Sequence, residues 1–435
     1  MGQIGCTLIA IAVAAAVTAL LYVLDSLGIN WDSLVIYVSY VIAVIVGIPL
    51  LIGFARVVWD VWISLRDKNS YKRSGNRLGH FSTNYEWAKG RFRQAARRAG
   101  GRLISLGLAA KGPKGEDLTI DVAWFGSPKP RQVFVHSSGL HGVEAFAGSA
   151  IQWQWLKKGM PSLPEHSAIV LVHALNPYGM AWRRRFNENN VDLNRNFREA
   201  GDFIPEELPY WDTVNALLNP PTPPGRDRFY LRAAWLVLRY GMPSLRQAIG
   251  GGQRLNPSGL FFGGNAMEEG PSKFQDLMKE RLVDAERIVA IDVHTGLGRF
   301  GTDRLLVDSA AERTEVNRTM REVFGERIEP LAKHGIAYAV RGAQQDMYFR
   351  SFPRAKIHFV SQEFGTYNPL RIVEALRAEN RWHLYGKRGI RHYTKKALLE
   401  VFNPNDPKWR RSVLKRGEEV IQQACALAFG PGNAK

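Results

Sequence analysis

Two uncharged apolar runs, residues 4–24 and 34–55, stand near the start of the chain. Each is long enough, as a helix, to cross the roughly 30 Å hydrocarbon layer of a membrane. The connector at 25–33 carries Gly28, Asn30 and two aspartates, which favour a turn, so the pattern predicts an antiparallel transmembrane hairpin over residues 1–65. Pro49, inside the second run, predicts a kink there. The absence of Lys and Arg ahead of the first run argues against a cleaved signal peptide. The connector also lacks Lys and Arg, whereas Arg56, Arg66, Lys68, Lys72, Arg73 and Arg77 follow the second run. That asymmetry predicts a multi-pass anchor in the inner (cytoplasmic) membrane, with the remaining chain on the cytoplasmic side.

After a basic linker at 66–79, the pattern of residues 80–435 alternates between two periods. A polar, helix-periodic stretch at 84–99 is closed by Gly100 and Gly101. Strand-like runs are expected at 118–125, 132–136, 168–173, 288–293 and 357–360, with a helix at 147–156. Strands interleaved with helices predict an α/β fold whose sheet is covered on both faces. Residues 200–271 break the rhythm with a proline-rich segment at 219–225, a helical stretch at 230–240 and Gly250 to Gly252. This insert reads equally as a lid or as a spacer.

Composition narrows the chemistry. At 435 residues with 46% hydrophobic content, the chain can bury a large core. The two cysteines, Cys6 and Cys425, stand at opposite ends, so any metal site must use His, Asp or Glu. The net charge of +18 comes with no zinc-finger spacing and no RNA-recognition pattern, so no nucleic-acid partner is expected. A basic surface beside a membrane accounts for it more simply.

Four motifs carry candidate chemistry. His136-Ser-Ser-Gly-Leu-His141-Gly-Val-Glu144 leaves a strand through glycine and turns, which lets His141 and Glu144 converge on one ion. Asp292-Val-His294-Thr-Gly again ends an apolar strand in a histidine, with Asp292 placed to orient a ligand. His141, Glu144 and His294 together make a three-ligand site that leaves a fourth zinc position for water. Asp192-Leu-Asn194-Arg195-Asn-Phe, preceded by Arg183-Arg184-Arg185, pairs an amide with a guanidinium suited to a carboxylate. The arginine run reads either as a polarising group for a carbonyl or as a solvated basic face. Glu363, directly after the strand at 357–360, is either a general base or a buried ion-pair partner.

The order of these motifs resembles the zinc carboxypeptidase family. The strings Ser-Gly-Leu-His-Gly-Val-Glu-Ala-Phe-Ala-Gly-Ser-Ala and Asn176-Pro-Tyr-Gly resemble more closely a bacterial branch of it catalogued as a domain of unknown function. The resemblance covers about residues 80–400. It implies a mixed, mostly parallel sheet with helices on both faces, and a bound zinc. It implies zinc ligands His141, Glu144 and His294, a general base Glu363, and an oxyanion-stabilising arginine that is one of Arg184 and Arg185. It further implies that Asn194 and Arg195 hold a substrate carboxylate, and that Tyr338 is the phenol that closes over substrate.

The expectation is therefore a membrane-anchored zinc hydrolase that cleaves an amide in a peptide or N-acyl amino acid with a free carboxylate. A deacylase similar to aspartoacylase and succinylglutamate desuccinylase is the nearest alternative, and a catalytically silent membrane-associated scaffold is the alternative from another class. A serine hydrolase is disfavoured, because Ser137, Ser138 and Ser149 lie outside any Gly-x-Ser-x-Gly.

Overall fold

The strands predicted as continuous apolar runs are the ones that build the centre of the sheet. In a computed structural model, eight strands pair in the order β1-β2-β4-β3-β5-β8-β6-β7. They are β1 (Arg102–Lys111), β2 (Asp117–Gly126), β3 (Gln132–Ser138), β4 (Ser167–His173), β5 (Arg287–Gly296), β6 (Asp303–Val307), β7 (Ile328–Pro330) and β8 (Lys356–Gly365). Four of the seven pairings are parallel (β3 with β4 and β5, β5 with β8, β6 with β7), and the other three are antiparallel. The structure describes residue 26 and residues 79–202, 210–225, 227–308, 314–330 and 341–430. The chain divides into the units Met1–Arg77 and Leu78–Lys435, and the described residues other than residue 26 belong to the second.

All seven residues of β4 are buried, as are the last nine of β5, because helices cover both faces. Phe134, Ile169, Ile291 and Val360 pack on one face against the helices Ala145–Lys158 and Pro407–Phe429. Val133, Val135, Val170 and Ile288 pack on the other against Glu269–Arg281 and Gln344–Ser351. The period of two sends neighbouring residues to opposite cores, and each fully buried Val, Leu, Ile or Phe contributes roughly 1.5–3 kcal/mol.

Asn84 caps the helix Tyr85–Arg98, accepting a hydrogen bond from the Trp87 N–H at 2.9 Å, close to the expected 84–99. The insert is a packed layer. Its helices Trp211–Leu218, Phe229–Tyr240 and Met242–Gly250 bury Leu217, Ala233, Leu236 and Leu245 against Ile372 and Leu376 of the helix Pro369–Tyr385 and against Phe402.

The multi-pass inner-membrane localisation expected from the apolar runs is corrected. Among the described residues no helix is long and apolar enough to cross a membrane. Residues 4–24 and 34–55, on which that expectation rested, lie outside the described residues. Hydropathy alone is therefore its only basis, and the localisation is withdrawn.

Candidate metal centre and active site

Three parallel strands deliver the chemistry to one edge. In an open α/β sheet, the crevice beyond the carboxyl ends of the strands is where ligands bind. Ser138 at the end of β3 lies beside Val293 of β5, and His294 lies beside Glu363 of β8. His141 follows β3 by three residues through Gly139, whose φ of +75° an L side chain rarely adopts. A Cβ on Gly142 would stand 2.0 Å from the carbonyl carbon of Gly179, so only glycine permits this close approach. The approach lets the Gly142 N–H donate to the Arg185 carbonyl (3.2 Å) and the Val143 N–H to the Arg184 carbonyl (2.9 Å). The turn that carries Glu144 is thus tied to the segment that carries Arg185.

His141, Glu144 and His294 are all buried, and one ligand atom from each lies within 4.8 Å of the others. The two imidazoles face each other through Nδ1, at 3.2 Å. Glu144 places Oε1 3.1 Å from His141 Nδ1, and Oε2 3.3 Å from His294 Nδ1. The Thr295 N–H donates to that Oε2 at 2.9 Å. The outward nitrogens are held by carboxylates: His141 Nε2 lies 3.0 Å from Asp192 Oδ1, and His294 Nε2 lies 2.7 Å from Asp292 Oδ2. Ser137 donates in turn to Asp292 Oδ1 at 2.7 Å. A carboxylate behind each histidine fixes its orientation and raises the basicity of its inner nitrogen, as metal-ligating histidines require.

The electrostatics also ask for a cation. Burial opposes charge on Glu144, but His141, His294 and Arg185 outweigh it and hold the carboxyl below the usual range. Burial likewise opposes protonation of His294, but Asp292 and Glu144 outweigh it and raise the imidazole well above its ordinary value. The carboxylates of Asp292 and Glu144 thus dominate the potential at His294, and a divalent ion between two imidazole nitrogens and a carboxylate can take the place of the proton they attract. Glu363 behaves oppositely: burial pushes its carboxyl up to about 7, against the attraction of His294 and with the repulsion of Glu144. Its Oε1 accepts the Leu297 N–H at 2.9 Å.

A cavity of about 250 Å³ opens over this cluster, lined by His141, Glu144, His294, Glu363, Arg185 and Asn194 among others. Arg185 donates through Nη1 to Glu144 Oε1 (2.9 Å) and through Nε to Asp192 Oδ2 (3.2 Å). Its neighbour Arg184 turns away into a buried network, donating to Glu379 (3.1 Å), Asn190 (2.8 Å) and Asn380 (2.7 Å). Asn194 Oδ1 accepts the Gln344 N–H at 3.3 Å. Arg195 does not line the cavity: it is 2% exposed, with Nη1 2.5 Å from Asp192 Oδ2 and Nη2 donating to the Gly250 carbonyl. Tyr338 lies outside the described residues. Sequence reasoning missed the link from Asp192 to His141 and that from Ser137 to Asp292. Both residues stood inside the quoted motifs, but no local spacing pairs them with their partners.

Fold and site together define a mixed α/β protein with a candidate His–Glu–His metal centre at the carboxyl edge of its sheet. The chain belongs to the family described as "Protein of unknown function (DUF2817)", whose pattern matches residues 81–416. That family is the branch its motifs resemble. Among solved structures it is similar to carboxypeptidase A from Helicoverpa armigera at 14% identity, over 83% of this chain and 81% of that one, with a TM-score of 0.42. It is also similar to the murein-tripeptide amidase MpaA from Escherichia coli O157, at 15% identity over 65% and 92%, with a TM-score of 0.32. A third is the succinylglutamate desuccinylase from Chromobacterium violaceum, at 12% identity over 69% and 74%, with a TM-score of 0.32. No curated protein matches.

Proposed function

We propose that this chain is a zinc-dependent hydrolase of amide bonds. The observation that carries the reading is the convergence of His141 Nδ1, the Glu144 carboxylate and His294 Nδ1 beneath a cavity that Glu363 also lines. Two imidazoles and one carboxylate are the donor set of catalytic zinc sites, which keep one position open. Bound there, zinc supplies Lewis acidity toward a carbonyl oxygen and acidifies water.

The chain's own residues do the rest. Glu363 takes a proton from the attacking water as its oxygen bonds to the acyl carbon. It then hands a proton to the amide nitrogen as the C–N bond breaks, leaving a carboxylate and an amine. Arg185 sets positive charge beside the developing oxyanion. Asn194, held by the Gln344 N–H, orients the substrate with its amide nitrogen. Arg195 is given no part in gripping a free carboxylate, because Asp192 and the Gly250 carbonyl already engage its guanidinium outside the cavity. That engagement favours an N-acyl amide over C-terminal trimming of peptides.

The test is release of amine from a panel of peptides and N-acyl amino acids. Dialysis against a chelator is expected to abolish turnover, and added zinc to restore it. Turnover that survives complete metal removal contradicts the proposal, and a protein that takes up no added zinc and shows no turnover supports the scaffold alternative.

A further inference from the structure

The cavity over the metal cluster has a polar floor and an apolar wall, and the wall comes largely from the insert. Leu217, Ala233, Leu236 and Ile249 line it from the three insert helices, opposite Ile372 and Leu376. Among the described residues, everything the insert contributes to the lining is apolar or glycine. A pocket that binds a charged group needs a cation that the protein has left available to it. In this one Arg185 is already engaged by Glu144 and Asp192. Arg195 is held outside the lining by Asp192 and by the carbonyl of Gly250, the last residue of the insert helix Met242–Gly250. The Arg195 guanidinium also stands 5.3 Å over the Phe261 ring. The segment that builds the apolar wall therefore also occupies the arginine that a carboxylate would seek. The outer face of the middle insert helix, Phe229–Tyr240, is mixed, with Leu231 and Leu238 exposed at 71% and 86% beside the exposed Arg232 and Arg239.

Resting on the amide-hydrolase reading above, we infer that the substrates are N-acyl amides of linear aliphatic acids. The acyl chain lies between the insert helices and Ile372 and Leu376, with its carbonyl at the metal cluster. The amine-side carboxylate, where present, is dispensable. Each methylene seated against such a wall improves binding by roughly fourfold, so seating about half of the six methylenes that octanoyl adds to acetyl already raises affinity by about a hundredfold.

Two experiments test this on the full chain loaded with zinc. In the first, kcat/KM is measured for N-acetylglycine, N-octanoylglycine and N-octanoylglycinamide. The octanoyl compounds are expected to exceed the acetyl one by about a hundredfold or more, and to lie within about tenfold of each other. Ala233→Phe, which narrows the cavity, is expected to lower the octanoyl-to-acetyl ratio by about tenfold or more, with the melting temperature and zinc content checked alongside. In the second, calorimetry compares binding of N-octanoylglycine and N-acetylglycine to Glu363→Gln, where no turnover is needed. Tight octanoyl binding without any turnover by the wild type upholds the acyl-chain site and sinks the hydrolase reading. Turnover that favours acetyl, or that requires the free carboxylate, overturns the inference and leaves the hydrolase reading standing. Equal binding of the two chain lengths also overturns it.

Discussion

His141 Nδ1 and His294 Nδ1 lie 3.2 Å apart although 153 residues separate them in the chain, and each ring is fixed from behind by its own aspartate. Asp292 contacts no other candidate ligand, so it isolates the effect of such a partner. Asp292→Asn is expected to weaken zinc binding by about ten- to a hundredfold while leaving all three ligands in place. Competition with a chromophoric chelator measures this, and an unchanged affinity would mean that Asp292 plays no part in holding the metal.

In the proposed hydrolysis Glu363 transfers the proton. Glu363→Gln is expected to retain zinc and to lose about a hundredfold or more in turnover. Burial raises this carboxyl to about 7, and the charge of a bound cation pulls it back down. A base works only when deprotonated, so kcat/KM is expected to fall as pH drops through a pKa at or below about 7. That acid limb should vanish from the residual activity of Glu363→Gln. Its persistence there would place the base elsewhere.

Arg184 and Arg185 are adjacent and are expected to fail differently. Arg185→Lys keeps the charge at the cavity and loses the forked donors, so the loss reports mainly in kcat, by about tenfold or more. Arg184→Met leaves Glu379 buried with Lys395 as its remaining cationic partner, and is expected to destabilise the fold by about 1–3 kcal/mol. Denaturant unfolding and steady-state kinetics on both variants separate the roles. A silent melt for Arg184→Met with a large kinetic loss would reverse the assignment.

Two glycines make opposite predictions. Gly142→Ala drives a methyl into the Gly179 backbone and is expected to cost about 3 kcal/mol or more, with loss of the metal turn. Gly90, inside the helix Tyr85–Arg98, has nothing within 4 Å of an added Cβ. Gly90→Ala is expected to stabilise by about 0.5–1 kcal/mol. Thermal unfolding of the pair checks both signs.

Much of the sheet centre was legible because β3, β4, β5 and β8 are buried on both faces and so read as unbroken apolar runs. β1 escaped notice because it is an edge strand with alternating partial exposure, and β6 and β7 because they are only five and three residues long. The helix Pro369–Tyr385 was missed because it buries Arg377, Glu379 and Arg381, which mask an apolar stripe. The candidate ligands were legible because His141 and Glu144 follow β3 through a glycine turn and His294 stands near the carboxyl end of β5. The choice between Arg184 and Arg185 was not, since it depends on Arg183 taking a φ of 52° and on partners nearly 200 positions away. The surroundings of Arg195 were hidden for the same reason: the carbonyl that accepts from its guanidinium belongs to Gly250, 55 residues on.

Zinc occupancy of purified variants tests the central claim most directly. About one zinc per chain is expected in the wild type and in Glu363→Gln, and loss of that zinc in His294→Ala and in Glu144→Ala, with all four proteins folded by circular dichroism. Folded His294→Ala and Glu144→Ala proteins that keep full zinc would contradict it, as would a wild-type chain that takes up no metal.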